Sequence, residues 1–595
     1  MVTRAFKLRF RRRLRLRKIQ VEELSQQAEQ GLERNFFRRL ERLADVRRFV
    51  VTWLVLLGLL AGCVVGQIRA LGAYYQVPSP VPGGTYSEGI VGSFTNANPI
   101  YAASAVDNAV SKLLFAGLFT YDHKNNLVGD LAESIAQTGN TYTVKLRPGL
   151  TWHDGKPLTS ADVVFTYTVI QNPDAQSPLR ASWQGIKVQA TDVRTVTFTL
   201  PGQLSAFPYS LTTGIIPKHA LAGKSMRSLR TLPFNTTQPV GAGPFRLTTL
   251  EVSGVAASER EEQIALDPFD KYHAGKPKLG RFVIHSFRDE DRLIESFRKH
   301  EVNAMAGLSV MPPEFTRSST IRAYNLPMTA AVMGFFRTTS EFLGDARIRQ
   351  ALVRATDTSA ITGRLEYPAL PVKEPLLLGQ IGYNPTYQQA PYDLASANAL
   401  LDSAGWVMNE KGLRAKAGQP LRLMLTAQDS SEYANVAYEM QRQWRKAGVD
   451  LQIRLETTTD FQTTLSSSSR GYDVLLYGIS IGKDPDVYVY WDSKNADVRS
   501  ETRLNFSEYR SPAADAALQA GRTRSDAGLR AVKYQPFLQA WQSDAPAVGL
   551  YQPRFLYVTH GTVYGLNEHA INSEVERFTN VHEWMIRQER KSQVE

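Results

Sequence analysis

Gly223-Lys224-Ser225 has the ending of a phosphate-binding loop, and Ser296-Phe297-Arg298-Lys299 has the serine-to-lysine spacing of a nucleophile and its base. Neither survives its context. A P-loop needs its first glycine at position 218, where Lys218 stands, so the backbone cradle for phosphate is missing. The S-x-x-K stretch lacks the S-D-N and K-T-G partners of such a site, and about one match of this kind arises by chance in a chain this long. No H-E-x-x-H occurs. The nine histidines are scattered, which leaves a histidine-rich metal site unsupported. The single cysteine, Cys63, excludes a disulfide framework and a multi-cysteine metal centre. His153 beside Asp154 reads as a loop residue. The residues therefore predict no enzyme and no cofactor, and a binding function is the better expectation.

The densest patterning lies in residues 150–165, LTWHDGKPLTSADVVF. Just before it, Thr141–Leu146 (TYTVKL) alternates polar and apolar residues as a half-buried strand does. Arg147-Pro148-Gly149 predicts a turn, because proline presets φ and glycine accepts a positive one. Leu150-Thr151-Trp152 is read as a returning strand, and Asp154-Gly155 as a tight turn. Thr159 is placed to cap a helix, with Asp162 three residues on to complete a capping box. Apolar spacing predicts a helix from Val106 to near Gly117. Later the pattern alternates: strand 421–427, helix 432–447, strand 449–455, helix 460–466, strand 473–477, then helices 514–521 and 529–542. That order predicts βαβ units with a parallel sheet.

Composition is that of a globular chain, 43% apolar and 21% charged, and 595 residues allow several lobes. The net charge of +12 suggests nucleic acid until it is located. Residues 1–48 hold fifteen Lys and Arg against six Asp and Glu, leaving a surplus of only three for the rest. Residues 49–68 carry no charge over twenty positions, enough helix to cross about 30 Å of hydrocarbon. The basic tail favours a cytoplasmic 1–48 and an outward-facing remainder, in contact with a membrane and not with nucleic acid. Within that tail, 19–48 reads as partly helical. Residues 69–83 form a linker whose prolines and glycines cannot hold a helix. Leu60-Ala61-Gly62-Cys63 resembles a lipidation box, so a lipoprotein anchored at Cys63 stands as the alternative to an uncleaved span.

The run "T-Y-T-V-K-L-R-P-G-L-T-W-H-D-G-K-P-L-T-S-A-D-V-V-F" resembles the signature of family 5 extracellular solute-binding proteins, the peptide-type binding subunits of ABC importers. Further matches follow: Ile215-Ile216-Pro217-Lys218-His219, the glycine-rich VGAGPF at 240–245, the DARIRQALVRATD helix at 345–357, and YDLASANALLDSAG at 392–405. The resemblance implies an α/β, two-lobed periplasmic-binding-protein-like fold (class II) with an extra inserted subdomain, preceded by one transmembrane helix. The binding domain would be 84–595, with lobe I from 84–115, 214–325 and 552–590, the inserted subdomain 116–213, and lobe II 326–551. It implies hinge closure on a peptide or related small solute, delivered to ABC permease and ATPase subunits from a single-pass membrane anchor. The alternative is a solute sensor that reuses the fold and signals through its N-terminal tail.

At the pocket the chain departs from the pattern. Oligopeptide- and dipeptide-binding members resemble "G-W-x-x-D-x-x-D/E-P", whose first aspartate pairs with the peptide ammonium group. Aligned on Asp484-Pro485, this chain has Gly478 at the tryptophan and Ile481 at that aspartate. Either the ligand has no free amino terminus there, or Asp484 or Asp486 replaces the acid. Equally, Asp484-Pro485 starts a turn and caps the next segment. Tyr477, Tyr488 and Trp491 are candidate ligand surface, with core packing as their simpler role.

Overall fold

The computed structural model describes residues 47–74, 76–254, 260–365, 367–467, 470–500 and 502–592. The helical reading of 19–46 and the basic run at its start lie outside them. The chain forms two units, one of residues 1–79 with 588–595 and one of 80–587.

The first unit contains the helix Arg47–Tyr74, whose 28 residues span about 42 Å. It runs past Ile68, the last residue of the charge-free segment, and continues through Cys63 without a break. From Phe49 to Gln67 none of its residues is buried, with Leu57 and Leu59 each 64% exposed. Past Tyr75, Gln76–Val81 is extended and pairs with Arg587–Ser592.

The second unit is built on three sheets. A seven-stranded sheet runs in the order Ile321–Pro327, Arg554–His560, Ala304–Ala306, Thr85–Val91, Arg281–Phe287, Glu261–Pro268, Phe245–Ser253. Thr85–Val91 lies parallel to both of its neighbours. Its buried Glu88 is paired with Arg577 and accepts from the Tyr557 hydroxyl (2.6 Å), so the charge is compensated inside the core.

A six-stranded sheet has the order Leu370–Pro371, Ala547–Gln552, Ala330–Phe336, Val474–Ser480, Arg422–Gln428, Asp450–Glu456. Here the expected alternation is found. Arg422–Gln428 is parallel to Asp450–Glu456 and to Val474–Ser480, with helix Ser431–Lys446 as the crossover. Both faces are covered: Val332, Leu423 and Trp444 pack on one, Ala331, Leu475 and Trp541 on the other. This explains the near-continuous apolar strand AAVMGFF at 330–336, since a strand buried on both sides has no polar face to alternate.

The third sheet, Ala132–Thr138, Thr141–Leu146, Thr195–Thr199 and Lys187–Asp192, is antiparallel and packs against helix Ser160–Gln171. The capping box forms as read, with Thr159 N–H donating to the Asp162 carboxylate at 2.9 Å. Two local readings are corrected. Leu150-Thr151-Trp152 does not return as a strand, because both edges of Thr141–Leu146 are already taken; Thr151 makes only an isolated bridge to Pro157. The helix expected to reach Gly117 is Ala105–Leu114. The Leu114 carbonyl accepts from Gly243 N–H, Phe115 turns extended, and Gly117 bridges to Gly214.

Candidate functional site

Two strand pairs cross between the seven- and six-stranded sheets. Ile321–Pro327 passes to Ala330–Phe336 through Met328-Thr329, and Ala547–Gln552 returns to Arg554–His560 through Pro553. The crossings are bonded to each other, Met328 N–H donating to the Pro553 carbonyl at 2.9 Å. Thr329 is the junction. Its N–H donates to Ile571 O (2.8 Å), its hydroxyl to Asn572 Oδ1 (2.7 Å), and its carbonyl accepts from Ile481 and Gly482 N–H (3.0 and 2.9 Å). Asn572 in turn donates from its backbone and side chain to Glu576 (2.7 and 3.0 Å) and from its side chain to Asn125 (2.6 Å). Burial pushes the Glu576 carboxyl up to about 7.

The two sides also touch outside the crossings. Ser205, in the chain that follows the four-stranded sheet, donates from its N–H (2.9 Å) and its hydroxyl (2.8 Å) to the Arg522 carbonyl. Arg522 is the last residue of helix Pro512–Arg522, so that carbonyl has no partner within its own helix. Two sheets joined by two short crossings and touching again at Ser205–Arg522 have the parts of a hinge and its closure.

The loop after Val474–Ser480 lies at this closure, and both of its acids are paired. Asp484 is buried and gripped by Arg530 at both oxygens, each contact 2.7 Å. Asp486 accepts from Arg522 Nη2 at 2.9 Å, and the same guanidinium lies 4.1 Å over the Tyr488 ring. Burial raises the Asp486 carboxyl against the opposing pull of Arg522. Tyr477 is half-buried, its ring against Phe461 and Phe506 at 5.6 and 5.2 Å. Trp491 is wholly buried among Phe335, Phe537 and Trp541 and presents no surface in this conformation. Ile481 is 9% exposed and faces the apolar core of its lobe. A Cβ on Gly478 would stand 2.9 Å from the Tyr433 hydroxyl, so an aromatic ring from helix Ser431–Lys446 occupies the room a tryptophan there would need.

Tyrosines of the other side feel the charges of Asp484 and Arg530. Burial pushes the Tyr142 hydroxyl up to about 12, with the Asp484 charge adding to the rise. Burial and then Asp484 also raise Tyr209, whose ring stacks on Tyr121 at 6.3 Å. Arg522, Arg530, Tyr121, Tyr142, Tyr209 and Thr329 escape the sequence reading. The two arginines follow the loop by more than thirty residues, and nothing in the local pattern marks them as its partners.

Two residues of the signature, His153 and Asp162, act as clips. The His153 N–H donates to Gly241 O (2.8 Å), its Nδ1 accepts from Gly241 N–H (3.2 Å), and Nε2 reaches Gly243 O (3.1 Å). This bonding requires a neutral ring with the proton on Nε2, and burial holds the imidazole down at about 4. Gly241 admits no side chain, since a Cβ would lie 1.8 Å from Leu114 O. Asp162 accepts from Lys218 N–H at 2.9 Å, which joins the signature helix to the Ile-Ile-Pro-Lys-His segment. A cavity of about 500 Å³ lies nearby, lined among others by Asp130, Arg147, Tyr272, His273 and His582, with His273 Nε2 at 2.7 Å from Asp130. Among the described residues no group of His, Cys, Asp and Glu is arranged to hold a metal ion.

Two α/β lobes joined by paired crossings, with an inserted antiparallel subdomain, define a two-lobed extracellular binding protein of the periplasmic type. The chain belongs to the bacterial extracellular solute-binding proteins, family 5, whose middle-region model matches residues 126–500. It is similar to the oligopeptide-binding protein AppA of Bacillus subtilis, 24% identical over 511 residues, 84% of this chain and 92% of that one. A putative ABC transporter peptide-binding protein of Brucella ovis is 25% identical, covering 80% of this chain and 89% of its own. Among solved structures, NikZ from Campylobacter jejuni in complex with Ni(L-His) matches with a TM-score of 0.72 at 25% identity, over 84% of this chain and 99% of that one.

Proposed function

We propose that this family member is the membrane-anchored substrate-binding component of an ABC importer, taking peptides or related small solutes by hinge closure and passing them unchanged to a permease. The carrying observation is the pairing of two crossings at Thr329 and Pro553 with a separate closing contact at Ser205–Arg522. AppA is an oligopeptide-binding protein and the Brucella ovis relative is assigned to an ABC transporter, which supports a peptide as the ligand. The unbroken, uncovered helix through Cys63 supports an uncleaved span, with residues 1–48 cytoplasmic and 84–595 outside. Lobe I is then 84–115, 214–325 and 552–590, the inserted subdomain 116–213, and lobe II 326–551.

A reporter fused after Glu595 tests the topology. Activity outside the cytoplasm is expected, and cytoplasmic activity contradicts the anchor. A mature protein that begins at Cys63 selects the lipoprotein form instead.

A further inference from the structure

The closing loop of lobe II holds three charged residues between Ser480 and Trp491: Lys483, Asp484 and Asp486. Both acids are spent. Asp484 gives its two oxygens to Arg530, and Asp486 binds Arg522, which is further fixed by stacking on Tyr488. An incoming cation must displace a guanidinium from the buried pair at Asp484 or from the half-buried pair at Asp486. Among the described residues Lys483 has no carboxylate within ion-pair distance, so the loop keeps a positive surplus. On the facing side Tyr209 is half-buried, while Tyr121 and Tyr142 are buried. Glu576, the acid whose charge weighs most on Tyr121, is buried and occupied by Asn572.

We propose that the ligand end that meets this loop carries no positive charge, and that Arg530 and Arg522 are the residues that set this preference by consuming the two carboxylates. The ligand class is a solute whose end here is neutral or acidic, such as a peptide with a blocked amino terminus. The inference rests on the solute-binding reading but not on the ligand being a peptide.

The test uses the full chain in detergent and two probes, a pool of short peptides with free amino termini and the same pool N-acetylated. Wild type is expected to bind the two pools with Kd values within about threefold, or to favour the acetylated one. Arg522→Gln frees Asp486 at a half-buried position where folding should survive, and it is expected to shift preference toward free amino termini by at least about tenfold. Arg530→Gln should act in the same direction if it folds. A wild-type preference of about tenfold or more for free amino termini overturns the proposal. So does an Arg522→Gln change that weakens both pools equally, since that is what a merely structural arginine would give. If neither pool binds, the peptide reading fails. The cargo released from protein purified from its host then decides: a cationic cargo overturns the proposal, and a neutral or acidic one upholds it.

Discussion

Asp484 and Arg530 face each other across the closing loop in a two-pronged ion pair, each carboxylate oxygen 2.7 Å from a guanidinium nitrogen and both side chains nearly sealed from water. A buried pair of this geometry stabilises little over an apolar substitute, but breaking it leaves a naked charge inside. Asp484→Ala is therefore expected to destabilise lobe II by about 3–5 kcal/mol. Denaturant unfolding followed by tryptophan fluorescence measures this. An unchanged midpoint would mean that Asp484 is not structural and is free to serve a ligand.

His153 sets a limit on the acid side. Its folded pKa of about 4 lies below the ordinary 6.5, so between those values the unfolded chain binds the proton and the folded chain does not. Stability conferred by the neutral ring is present above pH 6.5 and is lost as pH falls toward 4, on the order of 2–3 kcal/mol in all. His153→Gln, which does not titrate, should flatten the stability profile over that window. A profile as steep as the wild type's would assign the loss to other groups.

Glu374 acts in the opposite sense. It is fully buried, its Oε1 accepts only from Asn384 N–H (3.1 Å), and Oε2 has no partner. Burial pushes its carboxyl from 4.5 up to about 8. The folded chain therefore holds a proton that the unfolded chain gives up, and stability falls as pH rises from 4.5 to 8. Glu374→Gln keeps a neutral group there and should exceed the wild type at pH 8.5 by at least about 1 kcal/mol while differing little at pH 4.5. Equal unfolding midpoints at both pH values would contradict the buried neutral acid.

The closing contact predicts a change in conformational balance. Ser205→Ala removes the hydroxyl that donates to Arg522 O and keeps the backbone N–H, a loss of about 0.5–1.5 kcal/mol. With fluorophores on the inserted subdomain and on lobe II, the unliganded protein should shift to longer distances, its closed-to-open ratio falling about threefold to tenfold. An unchanged distance distribution would show that the Ser205–Arg522 contact does not hold the lobes together.

How far these relationships were legible in the sequence depended on their range. The capping box at Thr159–Asp162 and the alternation from 421 to 477 are set by neighbours a few residues apart, and both were readable. The return of Leu150-Thr151-Trp152 was misread because its apparent partner's edges are filled by strands 132–138 and 195–199, which a local pattern does not reveal. His153 is a turn residue as read, but its role as a clip is not legible because its partners, Gly241 and Gly243, lie some ninety positions away. In the loop at 481–486, the absence of an acid at Ile481 is visible in the sequence. Nothing near Asp484 or Asp486 announced that Arg530 and Arg522 would claim them, since those pairings exist only once the loop and two helices are packed.

The central claim is that the protein closes on a solute and releases it unchanged. Native mass spectrometry of the full chain purified from its host, followed by incubation of that protein with an isotope-labelled peptide pool, tests it most directly. The account predicts one small solute bound per chain, exchanged for labelled peptide and recovered at its starting mass. Steady release of labelled fragments by the pure protein, or a chain that never carries a solute, would contradict it.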